Sequence, residues 1–288
     1  VLWVPQKGVL RFEQTIGTIG TANIGASCTT GAAAATKGTA VQLIASTGFD
    51  AYLIEIVASG YGLAATTARG CLDILVGAAT EEVLIANLLM GFCGNMGGAA
   101  NPGPKRWAFP LYIPAGTRIA AQVAGDRTTT AMRVAVRLYG GNGYPPFRVG
   151  QRVITYGIGT VPAATAVTPG ASGAEGSWTQ ITASTTEDHF AIALSAQPTT
   201  GDTTLTASAF SWDIGVGAAT EEVIAGGGQE TGLIMNLDGN ELVGGPYDAL
   251  PFVMADIPSG QRLAVRGSRS SAADTVATWD LALHGVVG

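Results

Sequence analysis

Seven residues, Gly77-Ala78-Ala79-Thr80-Glu81-Glu82-Val83, return unchanged at Gly217 to Val223, an interval of 140 residues in a chain of 288. An exact repeat at about half the chain length points to one unit of domain size written twice. The match extends in both directions. Upstream, Leu72-Asp73-Ile74-Leu75-Val76 faces Trp212-Asp213-Ile214-Gly215-Val216 at the same interval. Downstream, Ile113-Pro114-Ala115-Gly116-Thr117-Arg118 faces Ile257-Pro258-Ser259-Gly260-Gln261-Arg262, and the interval drifts to 144. Such drift marks small insertions, which belong in loops. The Gly/Pro connector from Gly140 to Pro146 divides the chain into 1–144, an N-terminal arm plus a first domain, and 145–288, a repeat of that domain.

Hydrophobic period two gives the element type. Tyr52, Ile54 and Ile56 alternate with Leu53 and Glu55, and their counterparts Phe190, Ile192 and Leu194 alternate with Ala191 and Ala193. Val134, Val136 and Leu138 alternate with Arg133 and Arg137, whereas Trp279, Leu281 and Leu283 alternate with Asp280 and Ala282. The expected strands each have one buried face and one outward face. The stretch from Ala79 to Leu88 has helical composition, but its second copy runs into Gly226-Gly227-Gly228, which breaks a helix. A hairpin satisfies both copies. Ile113-Pro114-Ala115-Gly116 reads as a type I turn. The fold expected is all-β: two tandem repeated β-sandwiches, jelly-roll-like or immunoglobulin-like, with an extended N-terminal arm.

Charge narrows the function classes. Only 12% of residues are charged and the formal net charge is −6. No Lys/Arg cluster has phosphate-binding density, so nucleic acid is not an expected partner. The apolar runs are too short to span a bilayer, and no leader peptide is recognisable at Val1 to Pro5. Sparse charge with a mean hydropathy of +0.31 points to a surface covered by other copies or partners. Cys28, Cys71 and Cys93 lack paired spacing and read as buried, inert thiols.

The search for chemistry yields little. No nucleophile elbow, zinc-protease, P-loop or dinucleotide motif is present. His189 and His284 occupy non-equivalent positions and read as ordinary edge residues. Asp73, Glu81 and Glu82, with Asp213, Glu221 and Glu222, read as strand-end or Arg-paired acids, because adjacent glutamates on a strand point to opposite faces. The expectation is therefore no enzyme, no cofactor and no metal. Trp212 and Trp279 read as core. Trp3, Phe12, Trp107, Tyr144 and Phe147 are the expected partner contacts. Residues 1–40, rich in Gly, Thr and Ala, read as an arm that contacts neighbouring subunits, as does the connector 140–150, and removal of residues 1–36 is expected to leave both sandwiches folded.

The opening Gly8-Val9-Leu10-Arg11-Phe12, the repeated Gly-Ala-Ala-Thr-Glu-Glu-Val and the run Ile113 to Ala120 together resemble a family of tailed-bacteriophage virion proteins. The resemblance implies a place in the phage particle, assembled in the host bacterial cytoplasm, and no activity. The function expected is a structural one, as head decoration, fibre base or tail-associated module. Its expected partners are other virion proteins and further copies of the chain, with a trimer as the symmetry. A glycan- or receptor-binding module on the particle is the alternative.

Overall fold

The computed structural model describes residues 12–16, 25–59, 69–77, 82–90, 105–141, 145, 147–171, 173–199, 208–218, 223–224, 235–237, 252–269 and 278–288, and every regular element among them is a β-strand. In the first half these are β1 (Phe12–Ile16), β2 (Ala26–Thr29), β3 (Val41–Ile44), β4 (Ala51–Ser59), β5 (Gly70–Val76), β6 (Glu82–Leu89), β7 (Lys105–Phe109), β8 (Ile119–Gly125) and β9 (Ala131–Gly140). One sheet has the order β1-β9-β4-β7, with β2 also on β9; the other has β3-β8-β5-β6. The second half contains β10 (Arg152–Tyr156), β11 (Thr165–Val167), β12 (Thr179–Thr182), β13 (His189–Pro198), β14 (Ser208–Val216), β15 (Val223–Ile224), β16 (Met235–Leu237), β17 (Val253–Ile257), β18 (Leu263–Arg269) and β19 (Trp279–Val287). Its sheets run β10-β19-β13-β17, with β11 on β19, and β12-β18-β14-β15, with β16 on β14. The two halves share one strand order. All named strand pairs are antiparallel. Two facing sheets that take alternate strands of the chain in this order form a jelly roll, and this resolves the topology that period-two alternation leaves open.

Alternation builds the cores as expected. Ile54, Ile56, Val134, Val136 and Leu138 are buried between the sheets of the first half. In the second half Phe210, Trp212 and Trp279 form an aromatic cluster, with the Phe210 and Trp279 centroids 4.9 Å apart. The hairpin also stands: β5 pairs with β6 through Val76↔Glu82, and β14 with β15 through Val216↔Val223. The connecting residues 78–81 and 219–222 lie outside the described residues.

The expected type I turn is shifted by one residue. Gly116 has φ +82 and Thr117 donates to the carbonyl of Pro114, so Gly116 takes the third position of a type II turn. Gly260 repeats this backbone with φ +83. A side-chain lock accompanies each turn. Thr47 Oγ1 donates to Pro114 and Asp50 Oδ1 accepts from Ala115; Thr185 and Asp188 do the same for Pro258 and Ser259. The Thr-x-x-Asp pairs, 138 residues apart, were available in the sequence as a further sign of repetition.

The N-terminal arm is corrected. Residues 12–16 and 26–29 are strands on β9, and Ile16 and Cys28 lie in the core. Glycine and threonine do not prevent strand formation where a neighbouring strand supplies the hydrogen bonds. The following loop is tied down too, by Ala35 N to Gly125 O and Gly38 N to Val123 O. Deleting residues 1–36 therefore removes two strands and their core side chains. The expected result is a loss of strand signal in circular dichroism and a lowered melting temperature, rather than a folded protein lacking a tail.

Candidate functional site: a polar seam between the two sandwiches

β6 is an edge strand, and an edge strand carries backbone groups that need partners wherever water is excluded. A bulge aims two of them outward. Asn87 has φ +54, its N–H donates to Asp73 Oδ1 at 2.8 Å, and the β5–β6 register shifts between Leu72 and Ile74. The flanking Leu89 N–H donates to Ser195 Oγ on β13 at 3.1 Å. The Ala86 carbonyl accepts from Thr155 Oγ1 on β10 at 2.8 Å. Between these hydroxyls stands His284 of β19, with Nε2 2.7 Å from Ser195 Oγ and Nδ1 3.0 Å from Thr155 Oγ1. Phe109 meets the imidazole edge-on, 6.2 Å between centroids.

Further along the seam Gln197 is fully committed. Its Oε1 accepts from Gly70 N at 3.0 Å, and its Nε2 donates to Pro162 O at 2.6 Å and to Asp280 Oδ2 at 3.5 Å. Lys105 crosses from β7 to the Ala196 carbonyl at 3.0 Å, and Arg69 lies 3.7 Å from Asp280. Burial pushes the Asp280 carboxyl up, against the pull of Arg69 and hydrogen bonds from Ala164 and Gln197. Burial holds the His284 imidazole down to about 3, so it is neutral at physiological pH.

Ser Oγ at hydrogen-bond distance from His Nε2 is the spacing of a nucleophile and its base. Ser195 is 2% exposed and His284 0%. The third partner is a hydroxyl where a triad has a carboxylate, and Ser195 already accepts from Leu89. Among the described residues, each polar atom of the pair already has a partner. The pair closes the seam. A second buried histidine, His189, bonds Tyr156 Oη through Nε2 at 2.8 Å. Burial lowers its pKa, while Glu187 and Asp188 oppose that shift.

The structure redistributes the residues singled out from the sequence. Trp107, an expected partner contact, is only 4% exposed and pairs across from Ile56, so it is core. A tryptophan beside a Gly/Pro loop still follows the parity of its strand. Phe12 lies on β1 opposite Gly140, and Phe147 is half-buried. Trp3 and Tyr144 lie outside the described residues. His189 and His284, read as edge residues, are both buried. Asp73 and Asp213 are ion-paired, with Lys37 and Arg266 respectively. Cys28 and Cys71 are free and buried, and burial pushes their thiols up to about 11 and about 12. Cys93 is outside the described residues. The seam itself was missed. Its signal was the outward face of the second copy, where Ala191, Ala193, Ala282 and His284 stand while the first copy places Glu55, Arg137 and Tyr139.

No family model matches the sequence, and no curated protein matches it. Among solved structures the fold is similar to PNGF-II (11% identity, TM-score 0.36), covering 96% of this chain and 65% of that one. It is also similar to PNGase F, a glycosylasparaginase from Flavobacterium meningosepticum (9% identity, TM-score 0.35), with 96% of both chains covered. A peptide-N(4)-(N-acetyl-beta-D-glucosaminyl) asparagine amidase gives 9% identity and a TM-score of 0.34 over 96% of both chains. The chain thus spans about two thirds of the length of PNGF-II. The expectation that the chain is no enzyme is corrected: two of these neighbours are enzymes, named as a glycosylasparaginase and an asparagine amidase. At such low similarity they carry neither residues nor an activity over to it.

Replacing Gln197 with Leu leaves Gly70 N–H and Pro162 C=O unpaired in a dry seam. The expected cost is about 2–4 kcal/mol of unfolding free energy, measured by denaturant titration.

Proposed function

We propose that the chain is a structural component of a tailed-bacteriophage virion, acting through contacts with other virion proteins and with further copies of itself. The observation that supports this reading is the seam. It buries both faces of β19 and joins the two sandwiches. The low charge and the resemblance of the repeated motifs agree with it. The surface we assign to partner contacts is the outer face of β9-β4-β7. There Arg106, Arg137 and Tyr139 gather around Glu55, with Tyr139 Oη donating to its carboxylate at 3.0 Å and the guanidinium groups 3.6–3.7 Å away. In the second half the counterpart of this face is covered by the first half. The proposed site of action is the particle, whether head or tail.

Mass spectrometry of purified particles tests this, with the chain expected at a fixed copy number. The double variant Arg106→Glu/Arg137→Glu should keep its circular dichroism and lose at least about tenfold in incorporation, since surface charge reversals cost little folding energy. Absence from particles would refute the reading. Normal incorporation of the variant would refute the assigned face.

A second reading, a glycan-binding module on the same particle, has one observation of its own. Tyr52 and Tyr112 stack with centroids 5.9 Å apart and 22° between planes, and Tyr112 is 39% exposed. Such a ring is a platform for a sugar. Saturable binding on a glycan array that disappears in Tyr112→Ala would support it.

A further inference from the structure

The proton positions in the seam follow from donor counting. A carbonyl only accepts, so the single hydrogen of Thr155 Oγ1 goes to Ala86 O. His284 Nδ1 must then carry the hydrogen that bonds Thr155 Oγ1. A neutral imidazole with Nδ1–H has a bare Nε2, which accepts from the hydroxyl of Ser195. Ser195 Oγ in turn accepts from Leu89 N–H. The bonds therefore run one way: Leu89 N–H to Ser195, Ser195 to His284, His284 to Thr155, Thr155 to Ala86 C=O. The path leaves β6 and returns to β6 through three side chains of the other sandwich.

We propose that this relay is an acid-released clasp: it holds the two sandwiches together while His284 is neutral, and protonation of Nε2 opens it.

Protonation harms the relay twice. Nε2–H would donate to Ser195 Oγ, and the serine hydrogen, displaced from its acceptor, would have none in a dry site. The imidazolium would also be a buried charge without a counter-ion. The groups facing it are Ser195 from β13, Thr155 from β10, Phe109 from β7, and Ala86 and Leu89 from β6. None is anionic. The charged groups of the same seam are already engaged: Lys105 with Ala196 O, and Arg69 with Asp280. The sign follows. With a folded pKa of about 3 against an ordinary 6.5, the unfolded chain binds more protons between those values, so the clasp weakens as pH falls from 6.5 toward 3. Asp280, whose pKa is raised, works in the opposite direction, and His189 works in the same one.

The test uses the full chain labelled with 15N. At about pH 7 the nitrogen shifts of His284 should report the Nδ1–H tautomer, and calorimetry should show one transition for both sandwiches. On acidification toward about pH 4 the protection of the Leu89 amide, corrected for intrinsic exchange, should fall at least tenfold while amides of the β5–β8 ladder keep theirs. Ser195→Ala should lower Leu89 protection at neutral pH, and His284→Phe should make it low at both pH values. An Nε2–H tautomer overturns the proposal. So does a Leu89 amide that loses protection only together with the β5–β8 ladder. If either variant fails to fold, the tautomer and the exchange profile of the unmodified chain still decide.

Discussion

A sheet edge that is enclosed has to be satisfied, and the join between the two halves depends on this constraint. At β6 the bulge at Asn87 turns Ala86 C=O and Leu89 N–H away from β5, toward the second sandwich. Leu89 is fully buried and Ala86 half-buried, and side chains of the second sandwich supply their partners. Thr155, His284 and Ser195 sit on the adjacent strands β10, β19 and β13 of one sheet, whose register places Thr155 directly opposite His284 and Ser195 two pairs further along. A flat sheet face is a good receptor for an edge because it offers side chains at fixed spacings. It also orients the partner, since each bond has a donor and an acceptor that cannot be exchanged.

The two halves differ where their surroundings differ. Asp73 and Asp213 occupy the same place in the repeated sequence, and each faces its neighbour on the next strand: Gln122 in one case, Arg266 in the other. In the second half Arg266 bonds Asp213 through Nε and Nη2, and its guanidinium lies 4.6 Å over Trp178. In the first half Gln122 gives a hydrogen bond but no charge, and Lys37 reaches in from the preceding loop to supply it. That leaves the other oxygen of Asp73 free to hold the Asn87 bulge. The carboxylate of the first half thus has a second duty, shaping the edge that meets the other half.

How far the sequence foretold this depends on range. The strand faces were legible at Ile54, Val136 and Trp279, since period two follows from backbone geometry alone. The hairpin was legible because the second copy ruled out a helix. The entry strands β1 and β2 were not, because their stability comes from β9, more than a hundred residues away, and not from their own side chains. Trp107 was misplaced because the parity of its strand turns it into its own core, and His284 for a related reason. A position outward from its own sandwich was taken as exposed, although in β19 that side meets another sandwich and every residue from Trp279 to Val286 is buried. Histidine in such a face is a polar residue that an apolar pattern does not anticipate. The uncharged Ala193 and Ala282, where the first half has Glu55 and Arg137, were the available sign.

The join is of edge onto face, so the surface given and the surface received differ. A contact of that kind has no twofold axis, and nothing in its geometry stops it from recurring: a third sandwich set against the first in the same way would extend the row, and a fourth would extend it again. The outer face of β9-β4-β7 is where such growth would begin. Instead of serine, alanine and histidine it presents Val57, Arg137 and Tyr139, with Glu55 and Arg106 beside them. An incoming edge strand would have to strip water from charges it cannot pair. That face of the first sandwich is therefore unsuited to receiving an edge strand, unlike its counterpart in the second half, and is left for contacts of another kind.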